Sequence, residues 1–200
     1  MLPCDLEALS DTRRCGPVRW HWQPHAAGVA AEPLARAWLA AQLGVPPGAL
    51  ALGRDRRGRP RLDSPHATHD CNWSHSGGGL LLALGEGVRV GADLECVRPR
   101  PRALLLAQRY FSAQEAHWLA ACVDSERDRA FLRLWCAKEA VLKAHGHGLS
   151  FGLDRLRFEL YEDALRLVAC DPALGAPAQW SLHEFEPAPG TLAALAWRAR

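Results

Sequence analysis

An α+β fold built of two similar halves follows from the order of patterns along this 200-residue chain. Helical periodicity precedes alternating or continuous apolar runs twice over, and Arg98-Pro99-Arg100-Pro101-Arg102 separates the two series. The halves are placed at residues 1–100 and 101–200. A chain of this length buries a real core, as one ample domain or two small ones.

In the first half, residues 1–25 show little periodicity beyond Trp20 and Trp22 and read as irregular. From Glu32 to Leu43 the apolar Leu34, Ala37, Trp38, Ala41 and Leu43 fall on one side of a helix. Pro33 suits its first turn and Gly44 its end, and Val45-Pro46-Pro47-Gly48 breaks the chain. Residues 53–70 are rich in Arg, Gly, Pro, Asp and His, which predicts an exposed loop with room for a short strand. Leu80–Leu84 is a continuous apolar run, as in a buried strand, and Gly85-Glu86-Gly87 is a turn. Val88–Glu95 then alternates. Val88, Val90, Ala92 and Leu94 share one face, while Arg89, Gly91, Asp93 and Glu95 share the other, which is read as lying outside the core.

In the second half, residues 103–109 and 112–122 read as helices, the latter with Ser112 as N-cap and Glu115 at the capping-box position. Glu126–Ala144 carries the longest helical pattern and stops at Gly146. Leu156–Leu160 and Leu165–Ala169, turned at Glu162-Asp163, predict strands, as do Trp180–Phe185 and Leu192–Trp197.

The formal net charge of +2 excludes a strong polyanion binder as a whole. Locally, Arg54, Arg56, Arg57, Arg59 and Arg61 stand against one acid, Asp55, a cluster suited to phosphate on a nucleotide, a coenzyme or a nucleic acid. The seven cysteines, Cys4 among them, are odd in number with no CxxC pair, and read as reduced thiols of a cytosolic protein. The N-terminus lacks a charged region followed by an apolar one, and no apolar run approaches the roughly 20 residues of a membrane span. A cytoplasmic, soluble protein is therefore expected.

Three constellations carry chemistry. Asp93 and Glu95, at i and i+2 of a strand, point the same way and together suit one hard cation such as Mg²⁺; the alternative is a solvated strand face. Glu139 and Lys143 are helical neighbours at i and i+4, either an ordinary surface ion pair or, because Trp135 lies on the same stripe, a pair facing protein. Asn72-Trp73-Ser74-His75-Ser76-Gly77-Gly78-Gly79 offers hydroxyls, an imidazole and glycine-freed N–H groups, either an anion cradle or a polar turn entering the strand at Leu80. His66, His69 and Cys71 have spacings usable for zinc but lack a second ligand pair, and read as loop; His145 and His147 read as helix-end residues.

These blocks, in order and spacing, resemble the Sfp-type (surfactin-type) 4′-phosphopantetheinyl transferase family. The resemblance rests on Gly58-Arg59-Pro60, on Asn72–Gly77 and on Gly91-Ala92-Asp93-Leu94-Glu95. It extends to Trp135-Cys136-Ala137-Lys138-Glu139-Ala140-Val141-Leu142-Lys143-Ala144 and Gly146-His147-Gly148-Leu149. It implies two α+β halves related by pseudo-twofold symmetry with the active site in the cleft between them. It also implies transfer of phosphopantetheine from coenzyme A to a serine of an apo acyl or peptidyl carrier protein. Asp93, Glu95 and Glu139 are implied as Mg²⁺ ligands, Glu139 also as base, and Lys143 as the neutraliser of phosphate charge. Ser74, His75 and Arg59 are implied as coenzyme contacts, Arg59 at the 3′-phosphate, where the family commonly has lysine. Glu32 stands where the first helix often opens with a basic residue, leaving Arg13, Arg14, Arg36 or the Arg54–Arg57 cluster to compensate.

Two other classes compete: a Mg²⁺-dependent nucleotide phosphotransferase or phosphodiesterase using the same acidic trio, and a nucleic-acid-binding module using the arginine cluster. The modest net charge speaks against the second. The expectation is a monomer acting on coenzyme A and a carrier protein, with neither nucleic acid nor membrane as partner.

Overall fold

A computed structural model describes residues 11–200. Cys4 and the first ten residues of the segment read as irregular at the N-terminus lie outside the described residues. The molecule is α+β. Strands β1 (Arg13–Cys15) and β2 (Val18–Pro24) lead into helix α1 (Ala31–Leu43), followed by β3 (Leu52–Arg54), β4 (Pro60–Leu62), β5 (His69–Ser76), β6 (Gly79–Glu86) and β7 (Val88–Cys96). Helices α2 (Ala103–Tyr110), α3 (Ala113–Ala121) and α4 (Asp124–His145) follow, then β8 (Leu156–Tyr161), β9 (Ala164–Cys170), β10 (Ser181–Phe185) and β11 (Thr191–Ala199).

The strands form a four-stranded antiparallel sheet β1-β2-β6-β5, a three-stranded sheet β10-β11-β7, and the ribbons β3-β4 and β8-β9. Residues 13–24, expected to be irregular, are two strands. Their Val18-Arg19-Trp20-His21-Trp22 stretch alternates at period two, and Val18 and Trp20 are buried between the sheets. The Gly85–Gly87 turn does not join sheet neighbours. β7 leaves β6 and pairs along its whole length with β11, from Val88 opposite Ala199 to Cys96 opposite Thr191. The turn at Glu162-Asp163 is as expected, with positive φ at both residues, the conformation a tight hairpin demands.

Four layers result. On one face of β6, Leu80, Leu82 and Leu84 pack on Trp38 and Leu39 of α1; on the other, Leu81 and Ala83 meet Val90, Ala92 and Leu94 of β7. Beyond β7 and β11 lies α4, whose Phe131, Leu134 and Val141 share a core with Phe111, Leu192 and Ala194. Burial of such apolar area is the main stabilising term. The Asp93/Glu95 face is therefore not outside the core, because α4 covers it.

Within α4, Lys138 is fully buried and its ammonium lies 2.8 Å from Glu115. It also donates to the carbonyl oxygens of Leu153 and Leu156. Glu115 caps α3 through the Ser112 amide and hydroxyl and accepts the amide of Phe158, so the capping box doubles as a buried counter-ion. Burial lowers the pKa of Lys138 and Glu115 opposes that shift. Removing one partner of such a pair leaves an uncompensated buried charge. Lys138→Met is expected to cost about 3 kcal/mol or more in urea unfolding, and Glu115→Leu in the same chain to recover part of it. Equal and additive losses would show that the two do not act as a pair.

The described cysteines, Cys15, Cys71, Cys96, Cys122, Cys136 and Cys170, are free thiols. Among the described residues no helix is long and apolar enough to cross a membrane.

Candidate active site

β7 is the edge of its sheet, so every second backbone amide on its outer side lacks a strand partner. β5 supplies partners with side chains. Asp70 accepts the amide of Val90 at 2.8 Å, Asn72 that of Ala92 at 2.9 Å, and the Ser76 hydroxyl that of Cys96 at 3.3 Å. Asn72–Ser76, which the sequence offers as an anion cradle or a polar turn, is the second half of a strand, and its polar face is polar because it satisfies another strand's backbone. Asn72–Ser76 and Gly91–Glu95 are held in register by this stitching.

Close approach on the other side depends on Gly91. A Cβ there would lie 1.9 Å from the carbonyl oxygen of Ala140 and 2.5 Å from the amide of Ala144, so β7 and α4 touch backbone to backbone. The contact brings Asp93 to the Glu139–Lys143 face of α4. The Lys143 ammonium lies 2.6 Å from Asp93 Oδ1 and donates to Ser74 Oγ at 3.1 Å and to the Ala92 carbonyl at 3.2 Å. Ser74 itself donates to Asp93 Oδ1 at 3.0 Å. Glu95 takes a bond from Ser76 Oγ at 3.3 Å and from the Arg100 guanidinium at 2.8 Å.

The electrostatics are those of a surplus anion. Burial and the charge of Asp93 push the Glu139 carboxyl up to about 7, against the pull of Lys143. Burial and Asp93 also raise Glu95, against Arg100. Desolvation lowers Lys143, but Asp93 and Glu139 outweigh it and leave its pKa raised, so the ammonium is kept charged. Three carboxylates (Asp93, Glu95, Glu139) face two cations (Lys143, Arg100), a formal excess of one negative charge. Asp93 Oδ2 is buried with no hydrogen-bond partner. Both features suit a cation. Among the described residues no three His, Cys, Asp or Glu side chains are gathered closely enough to enclose a metal alone. A hard cation that takes only one or two carboxylates and fills its shell with phosphate and water fits this arrangement better than a closed cage.

Ser74, Asp93, Glu95, Glu139 and Lys143 are therefore brought together; Arg59 and His75 are not. Arg59 is buried and donates all five of its N–H groups within the protein. They reach both carboxylate oxygens of Asp70 at 2.7 and 2.6 Å and the carbonyls of Val90, Lys143 and Pro60. It clasps β5, β7 and the end of α4 beneath the acidic site, whereas the expectation of a 3′-phosphate contact assumed an exposed side chain. His75 is exposed on the opposite face of β5 from Ser74. Arg100 stands in the stretch that separates the halves in sequence, and the flanking prolines that fix its backbone are the only signal there of its place beside Glu95.

A cavity of about 200 Å³ opens beside Lys143. Gly58 and Pro60, Trp73, and Gly146 and His147 line it, which unites sequence blocks almost ninety residues apart. His66, His69 and Cys71 do not converge on a metal site among the described residues, and Cys71 faces the α1 core.

Residues 89–195 match the family model described as the 4′-phosphopantetheinyl transferase superfamily. The 4′-phosphopantetheinyl transferase HetI of Nostoc sp. is 34% identical over 164 residues, which cover 80% of this chain and 66% of that protein. The 4′-phosphopantetheinyl transferase psf-1 of Bacillus pumilus is 35% identical over 120 residues, 58% of this chain and 48% of that one. The 4′-phosphopantetheinyl transferase Sfp of Bacillus subtilis is 29% identical over 155 residues, 77% of this chain and 66% of that one. The chain thus spans about half to two thirds of the length of these relatives.

Proposed function

Because the chain belongs to the 4′-phosphopantetheinyl transferase superfamily, we propose that it moves the phosphopantetheine arm of coenzyme A onto a serine of an apo acyl or peptidyl carrier protein. The observation that supports this best is the convergence of Ser74, Asp93 and Lys143 within hydrogen-bonding distance, with Glu139 buried beside them. The family match favours this reading over a nucleotide phosphodiesterase and over a nucleic-acid module.

The carrier serine oxygen bonds to the pantetheine-side phosphorus of the coenzyme pyrophosphate, the bond from that phosphorus to the bridging oxygen breaks, and 3′,5′-ADP leaves with that oxygen. Glu139, buried beside Asp93 and Lys143, takes the serine proton. Lys143 stays charged beside Asp93 and neutralises the phosphate oxygens as charge moves to the leaving group. Burial around Asp93 and Glu139 excludes water, which limits hydrolysis as a competing outcome. We assign Mg²⁺ to the acidic trio Asp93, Glu95 and Glu139, of which Asp93, with its unpartnered Oδ2, and one further carboxylate would hold the ion while phosphate and water filled its shell; bound there it would supply charge neutralisation to the pyrophosphate. The halves 1–100 and 101–200 are kept as the two sides of the cleft, with a cytoplasmic monomer as working unit.

Incubation with coenzyme A, Mg²⁺ and a panel of apo carriers, read by intact mass, tests the reading. Gain of one phosphopantetheine on the carrier serine is expected, and no gain on any carrier would refute it.

A further inference from the structure

Arg100, the second cation of the acidic site, is anchored at its backbone and at its head. Its amide donates to Asp128 Oδ2 of α4 at 2.9 Å, and its carbonyl accepts the amide of Ala103 at 2.8 Å. Pro99 and Pro101 flank it, and a following proline narrows the backbone conformations open to Arg100 itself. From that fixed root the guanidinium reaches back to β7, where Nη2 donates to Glu95 Oε2 at 2.8 Å. Its Nε is buried without a hydrogen-bond partner. An unanchored arginine would turn that donor to water; this one is held against Glu95.

Glu95 receives a second bond on the same oxygen. Ser76 Oγ donates to Oε2 at 3.3 Å while accepting the Cys96 amide at 3.3 Å. Ser76 is kept there because the turn after it packs on β7: a Cβ on Gly77 would lie 2.4 Å from Cys96 Cβ. Oε2 thus has two donors, and Oε1 receives neither. Asp93 is arranged in the same way. Its Oδ1 takes the Ser74 hydroxyl and the Lys143 ammonium, and its Oδ2 is unpartnered. One serine of β5 and one cation therefore occupy one oxygen of each β7 carboxylate, and each carboxylate keeps the other oxygen for a cation.

We propose that Arg100 is a specificity-determining positioning residue: by occupying Oε2 it limits Glu95 to one metal-binding oxygen and so selects a small octahedral cation over Ca²⁺. The inference rests on the assignment of a cation to Asp93, Glu95 and Glu139 above. Mg²⁺ is bound through few carboxylates and completes its octahedron with phosphate and water, whereas Ca²⁺ takes roughly six to eight oxygens and gains from bidentate carboxylates. Without Arg100, Glu95 can turn both oxygens to the larger ion.

The test is Mn²⁺ binding by electron paramagnetic resonance, with Ca²⁺ titrated in as competitor and Mn²⁺ standing in for octahedral Mg²⁺. Wild type is expected to hold Mn²⁺ about tenfold or more tightly than Ca²⁺. Arg100→Met keeps the apolar stem and removes the guanidinium. Both ions should then bind more tightly for want of the positive charge, and the preference for Mn²⁺ should fall about tenfold. Arg100→Lys keeps the charge on a flexible stem without the planar head. Mn²⁺ should stay within about twofold while the preference still falls, and this variant decides the matter if Arg100→Met does not fold. An equal gain for both ions in Arg100→Met, with the preference kept, would show a mere counter-charge and overturn the proposal, as would no change in either variant. Mn²⁺ binding that is the same in wild type and Asp93→Ala would instead bring down the cation assignment, and this inference with it, leaving carrier loading to judge the transferase reading.

Discussion

Replacing Gly91 by alanine is expected to abolish transfer and to lower the melting temperature by roughly 10 °C. The added methyl would sit 1.9 Å from a backbone oxygen of α4, and backbone cannot rotate away as a side chain can. β7 must then withdraw from α4, at a cost of about 3 kcal/mol or more, which for a chain of this size is about 10 °C. Withdrawal carries Asp93 away from Lys143 and undoes the 2.6 Å ion pair. Calorimetry and carrier loading on the same preparation check this. An unaltered melting temperature would mean that strand and helix are not in backbone contact.

Replacing Glu139 by glutamine is expected to separate activity from stability. Turnover should fall about 10²-fold or more, the scale of a lost general base. The metal-free fold should nevertheless become more stable at high pH. Glu139 has its carboxyl raised from the ordinary 4.5 to about 7 by burial and by Asp93. Between those values the folded chain holds a proton that the unfolded chain has released, so wild-type stability falls as pH rises through that window. The full loss is on the order of 3 kcal/mol above pH 7. Glutamine carries no such charge. The stability difference between variant and wild type should therefore be small near pH 4.5 and grow to about 1–3 kcal/mol by pH 8. Urea unfolding across that range reads it directly, and a pH-independent difference would show that Glu139 is not forced to ionise in a hostile setting.

Much of this site is legible in the amino-acid sequence. Asp93 and Glu95 on one strand face and Glu139 and Lys143 on one helix face follow from periods of two and 3.6. What periodicity does not show is which face meets which. The polar residues of the Asp93 face point it outward from the core; α4 covers it, and the glycine that permits the contact is legible only once the helix is in place. The polar half of β5 does not announce itself as a strand for a related reason. Asp70, Asn72, Ser74 and Ser76 alternate faithfully, but with polar residues on the buried side, where they serve as hydrogen-bond partners of β7. Arg59 shows the same limit from the other direction. A loop arginine among arginines looks solvent-facing, and only the fold reveals Asp70 waiting for it.

Asp93 is the residue on which β7, Lys143, Ser74 and the assigned cation meet. The decisive measurement is carrier loading by wild type and Asp93→Ala over a Mg²⁺ series, with Mn²⁺ binding to each chain followed by electron paramagnetic resonance. Wild type should load carrier with a saturable Mg²⁺ dependence and bind Mn²⁺; Asp93→Ala should do neither at any concentration, with its fold retained by circular dichroism. Near-normal turnover of a folded Asp93→Ala at saturating Mg²⁺ would contradict the account.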